Sequence, residues 1–126
     1  MEQMTVTPSE WNVLEVLWQD GPQTLTELVP KLQARIGWSK STTATMVRRM
    51  SEKGILTYEI QGRGKLFISN VDRNVVVAQE TDSLLKRAYQ GSIGLMVSAM
   101  AQRNNLTKQD IDELYQILKD AEENAK

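Results

Sequence analysis

The spacing of apolar residues changes twice along this chain, and those two changes restrict the fold more than any other feature. Up to Lys53 apolar residues recur at helical intervals. After Gly54 they fall into two short runs, Ile55-Leu56-Thr57-Tyr58-Glu59-Ile60 and Lys65-Leu66-Phe67-Ile68-Ser69, on either side of Gln61-Gly62-Arg63-Gly64. This reads as a hairpin with a glycine-containing turn. From about Asp72 the helical interval returns. Three helices, a basic-tipped hairpin and further helices give a mainly α chain with a small β-hairpin wing.

Local signals place the helix ends. Thr7-Pro8-Ser9-Glu10 forms a capping box with proline at the first helical position, and Trp11, Leu14, Leu17 and Trp18 follow at helical spacing until Asp20-Gly21-Pro22. A second box, Thr24 with Glu27, starts a helix carrying Leu25, Leu28, Val29 and Leu32 and ending near Ile36-Gly37. Pro30 inside it predicts a kink or an early break. A third helix starts at Ser39 and runs to Lys53-Gly54. Further helices are expected near residues 73–89, 92–102 and, capped by Thr107, to about Ala121. Residues 1–71 read as a winged helix-turn-helix domain and residues 72–126 as a C-terminal helical dimerisation module.

Composition excludes several chemistries. The 126 residues include neither cysteine nor histidine, which removes disulfides, thiolate and imidazole catalysis and most zinc or copper sites. The acids and hydroxyls that remain show no convergent arrangement, so neither a catalytic site nor a cofactor is expected, and the chain reads as a non-enzyme. No apolar run approaches the ~18 residues of a membrane span. Met1 to Pro8 lacks the pattern of a secretion signal, so a cytoplasmic location is expected.

The net charge of −1 conceals an uneven distribution. Between Pro30 and Asn70, Lys31, Arg35, Lys40, Arg48, Arg49, Lys53, Arg63 and Lys65 stand against Glu52 and Glu59, eight cations to two anions, a local +6. On the third helix, Thr43, Met46, Val47 and Met50 share the side expected to face the first two helices. The opposite side presents Ser41, Ala44, Thr45 and Arg48, with Thr42 and Arg49 on its flanks and Lys40 at the start. Short polar side chains permit close approach to a DNA groove, and guanidinium groups supply phosphate and base contacts. Arg63 and Lys65 alternate with glycines at the hairpin tip, which in a winged helix lies beside the recognition helix. A solvated helix start and a turn made polar for solubility explain each feature singly; together they point to double-stranded DNA. Trp11 and Trp18 read as core packing rather than as base-stacking platforms.

The segments Thr7 to Trp18, Trp38-Ser39 with Thr42, Thr45 and Met46, then Lys53-Gly54, Gly62-Arg63 and Asp112-Glu113-Leu114-Tyr115-Gln116-Ile117-Leu118 resemble the penicillinase and methicillin-resistance repressors, the BlaI/MecI family. The resemblance covers nearly the whole chain. It implies a homodimeric transcriptional repressor that binds palindromic operators near resistance genes through an N-terminal winged helix. It also implies control by a membrane sensor protease, with Ala99 and Met100 at the positions of the cleaved Asn-Phe bond, from which they depart. The paired cysteines of copper-responsive relatives are absent. Ser41, Ala44 and Arg48 replace residue types usual on the recognition face of the resistance repressors, so the resemblance implies a different operator.

Dimerisation also has support from the residues. Ile111, Leu114, Tyr115 and Leu118 form a stripe, and Leu84, Leu85, Ile93, Met96, Val97 and Met100 add apolar surface that about fifty residues can hardly bury alone. A partner subunit, or packing back on the winged helix, must cover it. Two other functions stay open at this level: a winged helix that docks an acidic protein partner, and a repressor answering a small molecule.

Overall fold

The computed structural model of the chain describes residues 5–125; Lys126 and residues 1–4, part of the stretch read above for a secretion signal, lie outside the described residues. Among the described residues nine elements follow in order: α1 Pro8–Asp20, β1 Gln23–Thr24, α2 Leu25–Ile36, α3 Lys40–Lys53, β2 Leu56–Gln61, β3 Gly64–Ser69, α4 Arg73–Tyr89, α5 Ile93–Arg103 and α6 Lys108–Asn124. They divide into two compact units, Met1–Gln79 and Glu80–Lys126, the division falling inside α4.

The helix starts follow from the sequence signals. The Thr7 hydroxyl accepts from the Glu10 amide at 3.2 Å while the Glu10 carboxylate accepts from the Thr7 amide at 2.9 Å, and Thr24 and Glu27 repeat the exchange. Ser39 caps α3, accepting from the Thr42 amide at 3.1 Å. The early break expected at Pro30 does not occur, because α2 continues to Ile36. Pro30 is exposed, whereas Leu28 and Leu32 on either side of it are fully buried. Their burial, worth ~1.5–3 kcal/mol each, offsets a lost backbone bond.

The core of the first unit is built from Val13, Leu14 and Leu17 of α1, Leu28 and Leu32 of α2, and Val47 and Met50 of α3, closed by Ile55, Leu56 and Phe67. Its sheet has strand order β1-β3-β2, all antiparallel. Gln61 pairs with Gly64, which leaves a two-residue turn, Gly62-Arg63. Gly62 takes φ 61° and Arg63 stays at negative φ, the pattern that places glycine first in a II′ hairpin turn. Strand β1 has no counterpart among the expected elements. It is only two residues long, inside the α1–α2 connection, and pairs Gln23 with Phe67 and Thr24 with Leu66.

The start of α4 is fixed to the first unit. Trp18 Nε1 donates to Ser69 Oγ and to the Val71 carbonyl, both at 3.1 Å, and Arg73 lies 3.6 Å from the Glu15 carboxylate. Trp18 is half-buried against the core, and Trp11 packs edge-on against it with ring centroids 5.8 Å apart. Neither indole is a free stacking platform.

The second unit is built differently. Ser92 caps α5, and Thr107 with Asp110 forms a third capping box on α6. Neither α5 nor α6 has a buried residue.

Candidate nucleic-acid interface

Helix α3 shows the two faces its sequence implies. Thr43, Val47 and Met50 are buried and Met46 is half-buried against the core. Lys40, Ser41, Thr42, Arg48 and Arg49 are exposed, while Ala44 and Thr45 are half-buried. The Thr42 hydroxyl accepts a bond from Ser39 Oγ at 3.0 Å, so it belongs to the cap as well as to the exposed face. The N-terminus of α3, which carries partial positive charge, lies among Lys40, Ser41 and Thr42.

The hairpin register sets the matching wall. Because Gln61 opposes Gly64, Ile60 opposes Lys65 and Tyr58 opposes Phe67, so these four side chains share one face. Tyr58, Lys65 and Phe67 line a groove of about 440 Å³ together with Leu25 of α2 and Ala44, Val47, Arg48, Ser51 and Glu52 of α3. The groove brings together Ala44, Arg48 and Lys65 from the residues anticipated in the sequence. Arg63 stands at the exposed hairpin turn.

The cations of the +6 segment fall into two groups. Lys31 bonds Asp20 at 3.0 Å and Gln23 Oε1 at 2.7 Å. Lys53 bonds both oxygens of the buried Glu10 carboxylate, at 2.9 and 3.2 Å. Burial raises the affinity of Glu10 for a proton, but the Thr7 amide and the Lys53 ammonium outweigh it and hold the pKa below the ordinary glutamate value. These two lysines tie elements together, as does Arg35, which donates to Asn12 Oδ1 of α1 at 3.4 Å. Among the described residues, Lys40, Arg49 and Arg63 make no ion pair, Arg48 bonds only Glu52 on its own helix at 3.1 Å, and Lys65 sits 4.2 Å from the centre of the Tyr58 ring. An exposed pair such as Arg48–Glu52 is worth ~0–1 kcal/mol, little enough for a phosphate to displace it.

Tyr58 and Ile60 were not singled out from the sequence. Counting back across the ladder from the turn at Gly62-Arg63 places Ile60 opposite Lys65 and Tyr58 on the same face, two residues further back.

In the second unit, Leu84 of α4, Ile93, Val97 and Met100 of α5, and Ile111, Tyr115 and Leu118 of α6 are exposed, whereas Leu85, Met96 and Leu114 are half-buried. Val97, Met100 and Leu114 line a groove of about 310 Å³ with Leu106 and Ile117. Ala99 is half-buried next to Met100, inside α5. Among the described residues, no helix is long and apolar enough to cross a membrane.

Comparison with known proteins gives a consistent assignment. The penicillinase repressor family profile matches residues 6–120. A penicillinase repressor of Bacillus licheniformis is 30% identical over 115 residues, 91% of this chain and 90% of that protein. The methicillin resistance regulatory protein MecI of Staphylococcus aureus is 20% identical, covering 90% of this chain and 92% of its own length. The solution structure of the DNA-binding domain of the repressor BlaI superposes with a TM-score of 0.52 at 27% identity, over 58% of this chain and 90% of that one. The monomeric form of Bacillus licheniformis BlaI, solved in complex with the blaP half-operator, gives 0.52 at 26% identity over 58% and 89%. With the family profile spanning both units and the solved domain repeating the winged helix, the chain belongs to the penicillinase repressor family.

Proposed function

We propose that this protein is a homodimeric transcriptional repressor of the cytoplasm that occupies palindromic DNA operators of resistance or stress genes. The reading rests on one observation: α3 and the hairpin expose Lys40, Arg48, Arg49, Arg63 and Lys65, of which Arg48 and Lys65 line one groove, on a domain similar to one solved with its half-operator. In this reading α3 enters the major groove, where Ser41, Thr42, Ala44 and Thr45 approach base edges and Arg48 reaches base or phosphate. Arg48, Arg49, Arg63, Lys65 and the N-terminus of α3 beside Lys40 together meet about three or four backbone phosphates per subunit. Occupancy of the operator excludes the transcription machinery.

Residues 1–71 form the DNA-binding domain and residues 72–126 the dimerisation module. The support for a dimer is physical. Leu84, Leu85, Ile93, Met96, Val97, Met100, Ile111, Leu114, Tyr115 and Leu118 supply apolar surface in a unit whose helices α5 and α6 bury no residue. Such a unit gains its stability by association. Twofold symmetry then presents two α3 helices to two half-sites of a palindrome. Control by a membrane sensor protease would act at Ala99 and Met100, where cleavage requires α5 to unwind locally.

Gel-shift against fragments of the source genome tests the reading. Retention of a palindromic subset is expected, with log K falling against log salt at a slope of about −6 for roughly seven phosphate contacts per dimer. Absence of retention at low salt would refute DNA binding and leave a protein-docking winged helix in its place.

A further inference from the structure

The wing face that borders the groove holds a residue to which nothing above gives a role. Tyr58 lies on strand β2 and is 45% exposed. Its ring meets Phe67 edge-on at 6.1 Å, and the Lys65 ammonium sits 4.2 Å from its centre. Next to Lys65 in the ladder is Ile60, 71% exposed. The wing wall of the groove therefore holds an aromatic pair and a cation held on a ring, with an exposed aliphatic side chain next to that cation but outside the groove lining. The facing wall offers Ala44, Ser51 and the Arg48–Glu52 pair.

Two walls of this kind fit an alternating ligand. One sugar-phosphate strand presents charged phosphates separated by apolar deoxyribose edges, and Lys65 beside Ile60 repeats that alternation. We infer that Tyr58 is a positioning residue for DNA binding, its ring holding the Lys65 ammonium at the groove so that it meets a backbone phosphate with Ile60 against the adjoining sugar. The inference rests on the repressor reading and adds to it how the wing grips the strand. A free lysine has a flexible four-carbon stem and surrenders conformational freedom on binding. Over the ring, Lys65 is already confined in the unbound protein, and the ring attracts the ammonium without supplying a counter-anion.

The test uses the full chain and random-sequence duplex DNA, with binding followed by fluorescence anisotropy across a salt series. Tyr58→Phe keeps the ring and should bind as the parent does. Tyr58→Leu should weaken binding by about two- to five-fold, the range expected for losing a cation–π contact at an exposed site, with a shallower salt slope. In a Lys65→Ala background, Tyr58→Leu should cost nothing further, because the residue acts through the lysine. A second measurement needs no substitution: ring-current displacement of the Lys65 side-chain methylene resonances in the free protein, retained in Tyr58→Phe and lost in Tyr58→Leu.

Unchanged binding by Tyr58→Leu, an equal loss in the Lys65→Ala background, a loss in Tyr58→Phe matching that of Leu, or undisplaced Lys65 resonances would each overturn the inference. If the parent binds duplex DNA and only these results fail, the repressor reading stands without it. If the parent binds no DNA, both fall.

Discussion

Replacing Glu10 should destabilise the first unit in a way that depends on pH. The Glu10 side chain is 7% exposed, accepts two bonds from Lys53 at the end of α3, and closes the α1 capping box with Thr7. Removing one partner of a fully buried ion pair costs ~3–5 kcal/mol. Lys53 is 39% exposed and returns to water when released, so the share lost here is nearer ~1–2 kcal/mol. Glu10→Gln keeps an acceptor for the Thr7 amide and loses the charge, for ~1–2 kcal/mol. Glu10→Ala also loses the cap, worth ~1 kcal/mol more. For a unit of this size, the glutamine variant should melt about 5–15 °C lower.

The native pKa of Glu10 lies below its unfolded value. Its stabilisation is therefore complete above the ordinary glutamate range and disappears as pH falls through the native pKa. Glutamine imitates the protonated acid, so the melting gap should be widest near neutrality and should close as pH falls below the native pKa of Glu10. Circular dichroism melts at fixed protein concentration measure both quantities. A gap that persists at low pH, or no gap at neutral pH, would refute the assignment of the energy to this ion pair.

Four other outcomes follow from the same geometry. Thr43 Oγ1 is buried with no hydrogen-bond partner among the described residues, so Thr43→Val should raise the urea midpoint by the equivalent of ~1 kcal/mol, and a lowered midpoint would show that the hydroxyl is satisfied. Arg63→Ala should weaken binding to all DNA sequences by a similar factor and reduce the salt slope by about one per subunit, whereas Thr45→Ala should change the preferred sequence in a selection experiment. Leu118 is 64% exposed, so Leu118→Asp should disturb packing within one subunit little; sedimentation should show a monomer with an unaltered first unit, and a dimer of parental affinity would place the interface elsewhere.

Local chemistry made most of the winged helix legible. The Thr7, Thr24 and Thr107 caps, the Gly54 terminus and the glycines around Arg63 each act within a few residues, and the elements they start or stop lie where the sequence puts them. What escaped depends on separation along the chain. Strand β1 exists because β3 lies beside it, and two residues cannot show a period. The +6 segment divides because Lys31 and Lys53 find Asp20 and Glu10 upstream of it, a pairing that charge counting along a segment cannot register. On α3, the helical wheel separated the buried side from the exposed one. It did not reveal that Ala44 and Arg48 border a groove, since the other wall belongs to the hairpin.

Strand β1 gives the wing a timetable. The β2–β3 ribbon closes over a two-residue turn and can form by itself early, whereas its attachment through Gln23 and Phe67 must bring together points more than forty residues apart. Because that clasp needs the α1–α2 corner in place, the wing is expected to be seated late in folding and to loosen early under mild denaturation. Hydrogen exchange at whichever of the Leu66 and Phe67 amides faces β1 should then outpace exchange in the helices beneath.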